Sequence, residues 1–142
     1  MDSLAGTLER IAQRYHIRDI YVFGSRAAEI SRRVAGQESD APRSASDVDM
    51  GVQPVRGRRL DAPDRVRLAI EFEDLFGASR VDLVVLAEAR PFLAVDVVRG
   101  ELLYSADLRA QAEQELYILR RAGDLASFQR ERVHQILTGG GR

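Results

Sequence analysis

Two aspartates separated by one residue form the strongest chemical signal in the sequence. Asp47 and Asp49 lie on either side of Val48, in a stretch that continues with Met50. Side chains alternate between the two faces of a strand, so both carboxylates are expected on one face, with Cα atoms about 7 Å apart. At a separation of about 6 Å their charges would repel by roughly 3 kcal/mol at an effective dielectric constant of about 20. A cation between them would relieve this repulsion, so the pattern indicates a metal site.

A third aspartate lies in an apolar segment further along the chain. Asp82 is the only acidic residue within 80–86, where the other residues are mostly Val and Leu. Such a run predicts a central strand that is buried on both faces. An ionised carboxylate there is costly unless it is paired, hydrogen-bonded or bound to a metal. Three aspartates on two neighbouring strands would suit Mg²⁺, which prefers oxygen ligands and leaves room for phosphate and water.

A possible phosphate site precedes the aspartates. The apolar run 20–23 ends in Gly24, followed by Ser25 and Arg26. A junction from strand to helix at this point would direct backbone N–H groups and a hydroxyl towards a bound phosphate. The same residues could form only a turn with a helix cap, but the aspartates downstream favour the phosphate interpretation. Arg26 could add a cation to the site or point to solvent.

The elements that must position these residues follow from the apolar periodicity. It predicts helices at 3–15, 25–34, 61–76, 90–99 and 107–137, and strands at 20–23, 47–53, 81–86 and 101–105. Gly123 and Asp124 could break or kink the last helix. The fold class is therefore expected to be α/β (α+β), with helices flanking a small mixed sheet and a long C-terminal helical segment. We expect a single domain over residues 1–142, with its core at about 1–105 and a helical extension at about 107–137.

Two segments have more than one interpretation. Residues 35–46 are polar and broken by Gly and Pro, which predicts a loop that overhangs the acidic strand, either as a lid or as a passive insertion. The end of the last helix, at 117–137, carries more apolar residues than a small sheet needs. These could bind a partner protein, form a homodimer seam or fold back on the domain.

The composition excludes several kinds of site. The chain has no cysteine and two histidines, which excludes disulfides, thiolate metal sites and a histidine-rich zinc site. The net charge of −1 argues against binding to bulk nucleic acid. No apolar run of about 18 residues and no basic, apolar leader is present, so we expect a cytoplasmic protein without a membrane span.

The acidic and phosphate motifs together resemble a known family. Gly24-Ser25, then Asp47-x-Asp49, then a lone strand Asp82 are similar to the nucleotidyltransferase fold of the DNA polymerase β superfamily. The short chain most resembles the minimal nucleotidyltransferase (MNT) branch, whose members are commonly antitoxins paired with HEPN-domain toxins. The resemblance covers about residues 1–105. It departs from the family in one respect, because residues 26–46 make the interval between Gly-Ser and the first aspartate longer than usual.

The resemblance implies a metal-dependent transfer of AMP from ATP. Asp47 and Asp49 would bridge two Mg²⁺ ions, and Asp82 would bind the second ion and could accept a proton. Binding of the nucleotide phosphates would fall to Gly24, Ser25 and Arg26.

The acceptor implied by the resemblance is a hydroxyl group, of tyrosine by expectation, on a cognate HEPN ribonuclease toxin, which AMPylation would silence. Two alternatives stay open. The acceptor could be a small molecule, as in aminoglycoside nucleotidyltransferases, or the protein could be an antitoxin that only covers its toxin. A homo-oligomer or a hetero-oligomer is compatible with each of these functions.

Overall fold

The computed structural model describes residues 3–37 and 47–138. The helices are α1 (Leu4–Tyr15), α2 (Ala27–Val34), α3 (Ala62–Phe76), α4 (Pro91–Val98) and α5 (Leu108–Leu137). The strands are β1 (Ile17–Phe23), β2 (Val48–Pro54), β3 (Val81–Val85) and β4 (Glu101–Ser105), and a single 3-10 turn covers Leu86–Glu88. The expected α/β class, with a small mixed sheet and a long C-terminal helix, is confirmed. The predicted overhanging loop lies largely in residues 38–46, outside the described residues.

The strand order brings four chain segments to one end of the sheet. The order is β3-β2-β1-β4, with β1 antiparallel to both β2 and β4, and β2 parallel to β3. The end of β1 therefore lies beside the starts of the other three strands. Phe23 pairs with Asp49, Asp49 with Asp82, and Val22 with Glu101. Residues far apart in the sequence thus meet along this single end.

The prediction of a central strand at 81–86 is wrong, because β3 is an edge strand of the sheet that the described residues form. Its apolar character comes from the helices on its two faces. Leu83 packs against the core on the side of α1 and α3, whereas Val84 packs against the core on the side of α4 and α5. An apolar run reports that both faces are covered and carries no information on the position of the strand in the sheet.

Local sequence signals fix the helix ends around this sheet. Ser3 caps α1, since its hydroxyl accepts a hydrogen bond from the Gly6 N–H at 3.0 Å. Asp61 caps α3 through the Asp64 N–H at 2.9 Å, and the same helix ends at Gly77, whose φ of 65° is left-handed. The predicted helix at 25–34 begins instead at Ala27, because Ser25 belongs to the turn that follows β1.

The sheet separates two apolar clusters. On one face, side chains of β1 and β2 such as Ile20, Val22 and Met50 pack against α1 and α3. On the other face, Tyr21 packs against α4 and α5. Helix α4 lies close to the sheet backbone there, because a Cβ atom at Gly51 would overlap the side chain of Val97.

Helix α5 has a docked half and an exposed half. Ile118 and Ala122 are buried, and the buried Gln111 side chain donates a hydrogen bond to the Tyr21 hydroxyl at 2.7 Å. Burial raises the pKa of Tyr21 to about 12, so this phenol stays neutral as an acceptor. Gly123 and Asp124 do not break the helix, which continues as one element to Leu137. We call residues 123–137 the α5 overhang. It exposes large apolar side chains: Leu125, Phe128, Val133, Ile136 and Leu137.

Within the described part of the chain, no helix is both long enough and apolar enough to cross a membrane.

Candidate active site

Asp49 lies at the centre of the open sheet end. The period-two alternation predicted for β2 is present, because Val48 and Met50 are fully buried in the core and Asp49 projects from the opposite face. The Asp49 side chain is half-buried, and its neighbours across the sheet are Phe23 on β1 and Asp82 on β3. The predicted pairing of acidic residues on neighbouring strands is thus present in the register of the sheet.

The turn after β1 contacts the Asp49 carboxylate directly. Gly24 has a left-handed φ of 78°, and a Cβ atom there would lie 2.6 Å from Asp49 Oδ2. Only glycine satisfies both the conformation and the close approach. Ser25 follows in the turn and is exposed, and the turn is closed by the Ala27 N–H, which donates to the Gly24 carbonyl at 3.2 Å. The predicted phosphate-binding residues Gly24 and Ser25 therefore lie beside the acidic centre.

The carboxylates concentrate negative charge at this end of the sheet. Burial raises the pKa of Asp49 above its usual value, and the charges of Asp82 and Asp47 raise it further. Asp47, predicted as the first residue of the strand, lies just before β2 and is exposed, and Asp82 Oδ1 accepts a hydrogen bond from Arg80 Nε at 3.1 Å. Both side chains of this pair are largely exposed, so the pair contributes little stability, on the order of 0–1 kcal/mol.

The charge pattern fits a divalent cation that arrives with a ligand. Within residues 3–37 and 47–138, no three acidic, histidine or cysteine side chains are already gathered into a metal-binding cluster. However, a cation beside Asp49 would offset the interactions that raise its pKa, and it would compete with an exposed and weak Arg80 contact for Asp82. The oxygen ligands that remain would have to come from the bound ligand and water, as is usual for Mg²⁺.

Arg26 is buried at the start of α2, beside the Gly24 turn. Its side chain is 4% exposed, and its guanidinium forms an ion pair with Glu29 at 2.8 Å, one turn into α2. Glu29 also lies 3.8 Å from Arg33. The alternative prediction that Arg26 points to solvent is therefore wrong, and its contact with a nucleotide stays a prediction.

A cleft of about 540 Å³ opens beside Asp49. Its walls come from the turn after β1, the start of α2 and the junction of α4 with β4: Phe23, Gly24, Ser25, Ala27, Ala28, Asp49, Asp96, Arg99, Gly100 and Glu101. The polar groups of the α4–β4 wall were missed by sequence reasoning, since they belong to no motif. The sequence nevertheless carries a signal for this wall, because Gly100 follows α4 and lies between two charged residues. A Cβ atom at Gly100 would lie 2.7 Å from Phe23 Cβ, so the junction approaches β1 closely.

Comparisons with known proteins agree with this geometry. The family model described as "Polymerase beta, Nucleotidyltransferase" matches residues 7–109. No curated protein sequence matches the chain. Among solved structures, a toxin–antitoxin complex with AMP-PNP superposes with a TM-score of 0.67 at 18% identity, over 94% of this chain and 98% of the other. A tri-AMPylated Shewanella oneidensis HEPN toxin in complex with MNT antitoxin gives a TM-score of 0.64 at 18% identity, covering 94% and 96%. At such identities these two structures establish a shared fold.

Proposed function

Because the chain belongs to the polymerase β nucleotidyltransferase family, we propose that it is an adenylyltransferase that transfers AMP from ATP to a hydroxyl group on a partner protein. The observation that carries the proposal is the meeting of Asp49 with Asp82 and with the Gly24 turn at one end of the sheet. This arrangement places carboxylates whose repulsion a cation would relieve next to backbone N–H groups that can bind phosphate. A triphosphate with Mg²⁺ has both complementary parts.

Each site residue has a defined part in this reaction. Asp47 and Asp49 would hold the metal ions, with Asp82 as a further ligand on the neighbouring strand. Bound Mg²⁺ would neutralise triphosphate charge and make the acceptor hydroxyl easier to ionise. The N–H groups of the turn and the Ser25 hydroxyl would donate to the phosphates that leave.

The transfer itself is a single displacement at phosphorus. The acceptor oxygen forms a bond to the α-phosphorus, and the bond from this phosphorus to the oxygen that bridges the α- and β-phosphates breaks. Pyrophosphate leaves with the electron pair. The hydroxyl proton passes to the carboxylate of Asp82, because neither histidine of the chain lies at the site: His16 caps the C-terminal end of α1, where β1 begins, and His134 is on the α5 overhang.

The acceptor that we propose is a tyrosine hydroxyl of a HEPN ribonuclease toxin, which would make this protein an antitoxin. The support is the likeness of the fold to toxin–antitoxin structures, one of them with a tri-AMPylated HEPN toxin. The α5 overhang supplies exposed apolar surface for a protein partner. A protein acceptor fits the open cleft better than a small molecule would, since a small acceptor has to be enclosed by further walls.

Intact mass spectrometry tests this function. The protein is expressed together with a HEPN-domain toxin as the candidate partner, and the partner is weighed after purification. We expect wild type to add whole adenylate groups to the partner, and Asp49→Asn to add none while still forming the complex. A partner of unmodified mass in both samples would contradict the transferase.

Silencing by occlusion is a second candidate function. The exposed Arg80–Asp82 contact and the apolar α5 overhang favour it, because the first occupies a proposed metal ligand and the second could bind a toxin without chemistry. The mass measurement separates the two functions, since occlusion predicts a toxin that is silent and unmodified.

A further inference from the structure

The four strands order the site groups along a line. Asp82 is the second residue of β3, Asp49 lies on β2, Gly24 follows β1, and the α4–β4 junction lies beyond it at β4. Neighbouring strands are about 4.8 Å apart, so the carboxylates and the junction occupy opposite sides of the Gly24 turn. Any ligand that reaches from the carboxylates across the turn therefore ends against the junction, at Arg99 and Gly100.

Arg99 is placed to meet such a ligand. It is exposed at the C-terminal end of α4 and lines the cleft, of which it is the one cationic side chain among the described residues. None of the ion pairs within residues 3–37 and 47–138 involves it. The position is fixed by Gly100, because the next backbone atoms pack against Phe23 too closely to admit a Cβ atom. Gly100 therefore fixes the backbone of Arg99 beside the cleft, and in the described part of the chain the guanidinium is not committed to an ion pair.

The geometry of the displacement indicates which part of a bound nucleotide faces the α4–β4 junction. In a displacement at phosphorus, the attacking and leaving oxygens lie on opposite sides of the phosphorus. Asp82 activates the acceptor on the β3 side of Asp49, so pyrophosphate must depart towards β1 and β4. This conclusion rests on the proposed function, which assigns the acceptor to Asp82.

We propose that Arg99 binds the terminal phosphates of the nucleoside triphosphate and stabilises the pyrophosphate as it leaves. A guanidinium suits this task, because its planar set of N–H donors matches two phosphate oxygens at once. Asp96 and Glu101 also line the cleft and are exposed. Their charge disfavours free polyphosphate and leaves Mg²⁺-bound triphosphate as the species that Arg99 selects.

Calorimetry with pairs of ligands tests the assignment. Wild type, Arg99→Gln and Arg99→Lys are titrated in Mg²⁺ with a non-hydrolysable ATP analogue, with pyrophosphate and with AMP. Arg121→Gln is the matched control, since Arg121 is an exposed helix arginine on α5 away from the cleft. We expect Arg99→Gln to lower the affinity for the analogue and for pyrophosphate by about 10- to 100-fold, the range for loss of a charged hydrogen-bonding group. The affinity for AMP should stay unchanged. Arg99→Lys should bind the analogue and pyrophosphate with affinities between those of wild type and Arg99→Gln, and Arg121→Gln should bind every ligand as wild type does.

Two results would overturn the assignment alone. Equal affinity of wild type and Arg99→Gln for the analogue would show that Arg99 makes no contact. If Arg99→Gln lost affinity equally for the analogue and for AMP, Arg99 would contact the nucleoside or the α-phosphate instead. Failure of wild type to bind the analogue in Mg²⁺ would overturn the proposed function together with this inference. Thermal melting of each variant checks the fold, and the exposed Arg99 side chain predicts melting temperatures close to wild type.

Discussion

Asp49 and Asp82 lie directly opposite each other on the parallel strands β2 and β3. Register partners in a parallel pair project from the same face, so the two carboxylates share one environment. Asp82 is the second cause of the raised pKa of Asp49, after burial itself. The folded protein thus maintains an electrostatic cost that a bound cation would offset.

This cost predicts that Asp49→Asn stabilises the metal-free protein. Removing the charge ends the repulsion from Asp82 and Asp47, worth on the order of 1 kcal/mol for half-buried groups. We expect the melting temperature at neutral pH to be equal to or higher than that of wild type. Added Mg²⁺ and ATP should raise the melting temperature of wild type only. A large loss of stability would show that Asp49 has a structural part instead.

The same substitution should show a defined pH dependence. The folded pKa of Asp49 is raised, so the folded state binds its proton at a higher pH than the unfolded state, where an aspartate titrates near about 3.9. Wild-type stability therefore falls as the pH rises through the interval between these two pKa values. Melting curves should show the advantage of Asp49→Asn fully above the interval and its disappearance below it. An advantage that is constant with pH would exclude this origin.

Gly24→Ala should damage the site as well as the backbone. The left-handed φ of Gly24 costs about 1–2 kcal/mol for an L-residue. The new Cβ atom would also displace Asp49 Oδ2, so we expect binding of Mg²⁺ with an ATP analogue to fall by at least about tenfold, or 1.4 kcal/mol.

Gly57→Ala provides the matched control for Gly24→Ala. Gly57 has a φ of 81°, and nothing lies within 4 Å of a Cβ atom built there. Both variants should lose similar stability in melting experiments, whereas only Gly24→Ala should lose ligand affinity in calorimetry. Equal ligand affinity of the two variants would contradict the contact between the turn and the carboxylate.

Asp82→Ala should separate binding of the partner from its modification. The residue lies at the sheet end, far in the chain from the apolar surface of the α5 overhang. We expect this variant to bind the HEPN toxin about as well as wild type, to leave its mass unchanged and to fail in a growth rescue assay. Full rescue without a mass change would favour occlusion.

Truncation after Ala122 should have the opposite effect. Ile118 and Ala122 complete the buried contact of α5, whereas residues 123–137 add almost no core. The shortened protein should keep its melting temperature within a few degrees and its affinity for the ATP analogue. Its complex with the toxin should weaken, as measured by calorimetry with a catalytically inactive toxin. Undiminished toxin binding would show that the partner contacts another surface.

Local patterns predicted the acidic strand and the helix ends well. The alternation of Asp49 with Val48 and Met50 has a period of two and needs no tertiary information. Capping by Asp61 and termination at Gly77 likewise depend only on neighbouring residues. The pairing of Arg26 with Glu29 could also have been predicted, because Arg26 directly precedes α2 and residues three apart lie close together at a helix start.

The remaining features depend on contacts between distant residues. The edge position of β3 follows from strand pairing, which an apolar run does not encode. Arg99 reaches the cleft only because β4 runs antiparallel to β1, so that the start of β4 lies beside the end of β1. Neither relationship leaves a periodic signal in the sequence.

Because α5 is one continuous helix, it fixes the distance and the rotation between the docked half of the helix and anything bound at the overhang. From Ala122 to Leu137 the helix advances about 22 Å at a rise of 1.5 Å per residue. Inserting one residue after Ala122 would rotate Val133 and Ile136 about the helix axis by about 100° relative to the sheet. A partner seated on the overhang would turn with them and carry its hydroxyl away from Asp49. In the proposed complex, the helical phase of α5, as much as its apolar surface, would therefore determine which acceptor reaches the carboxylates.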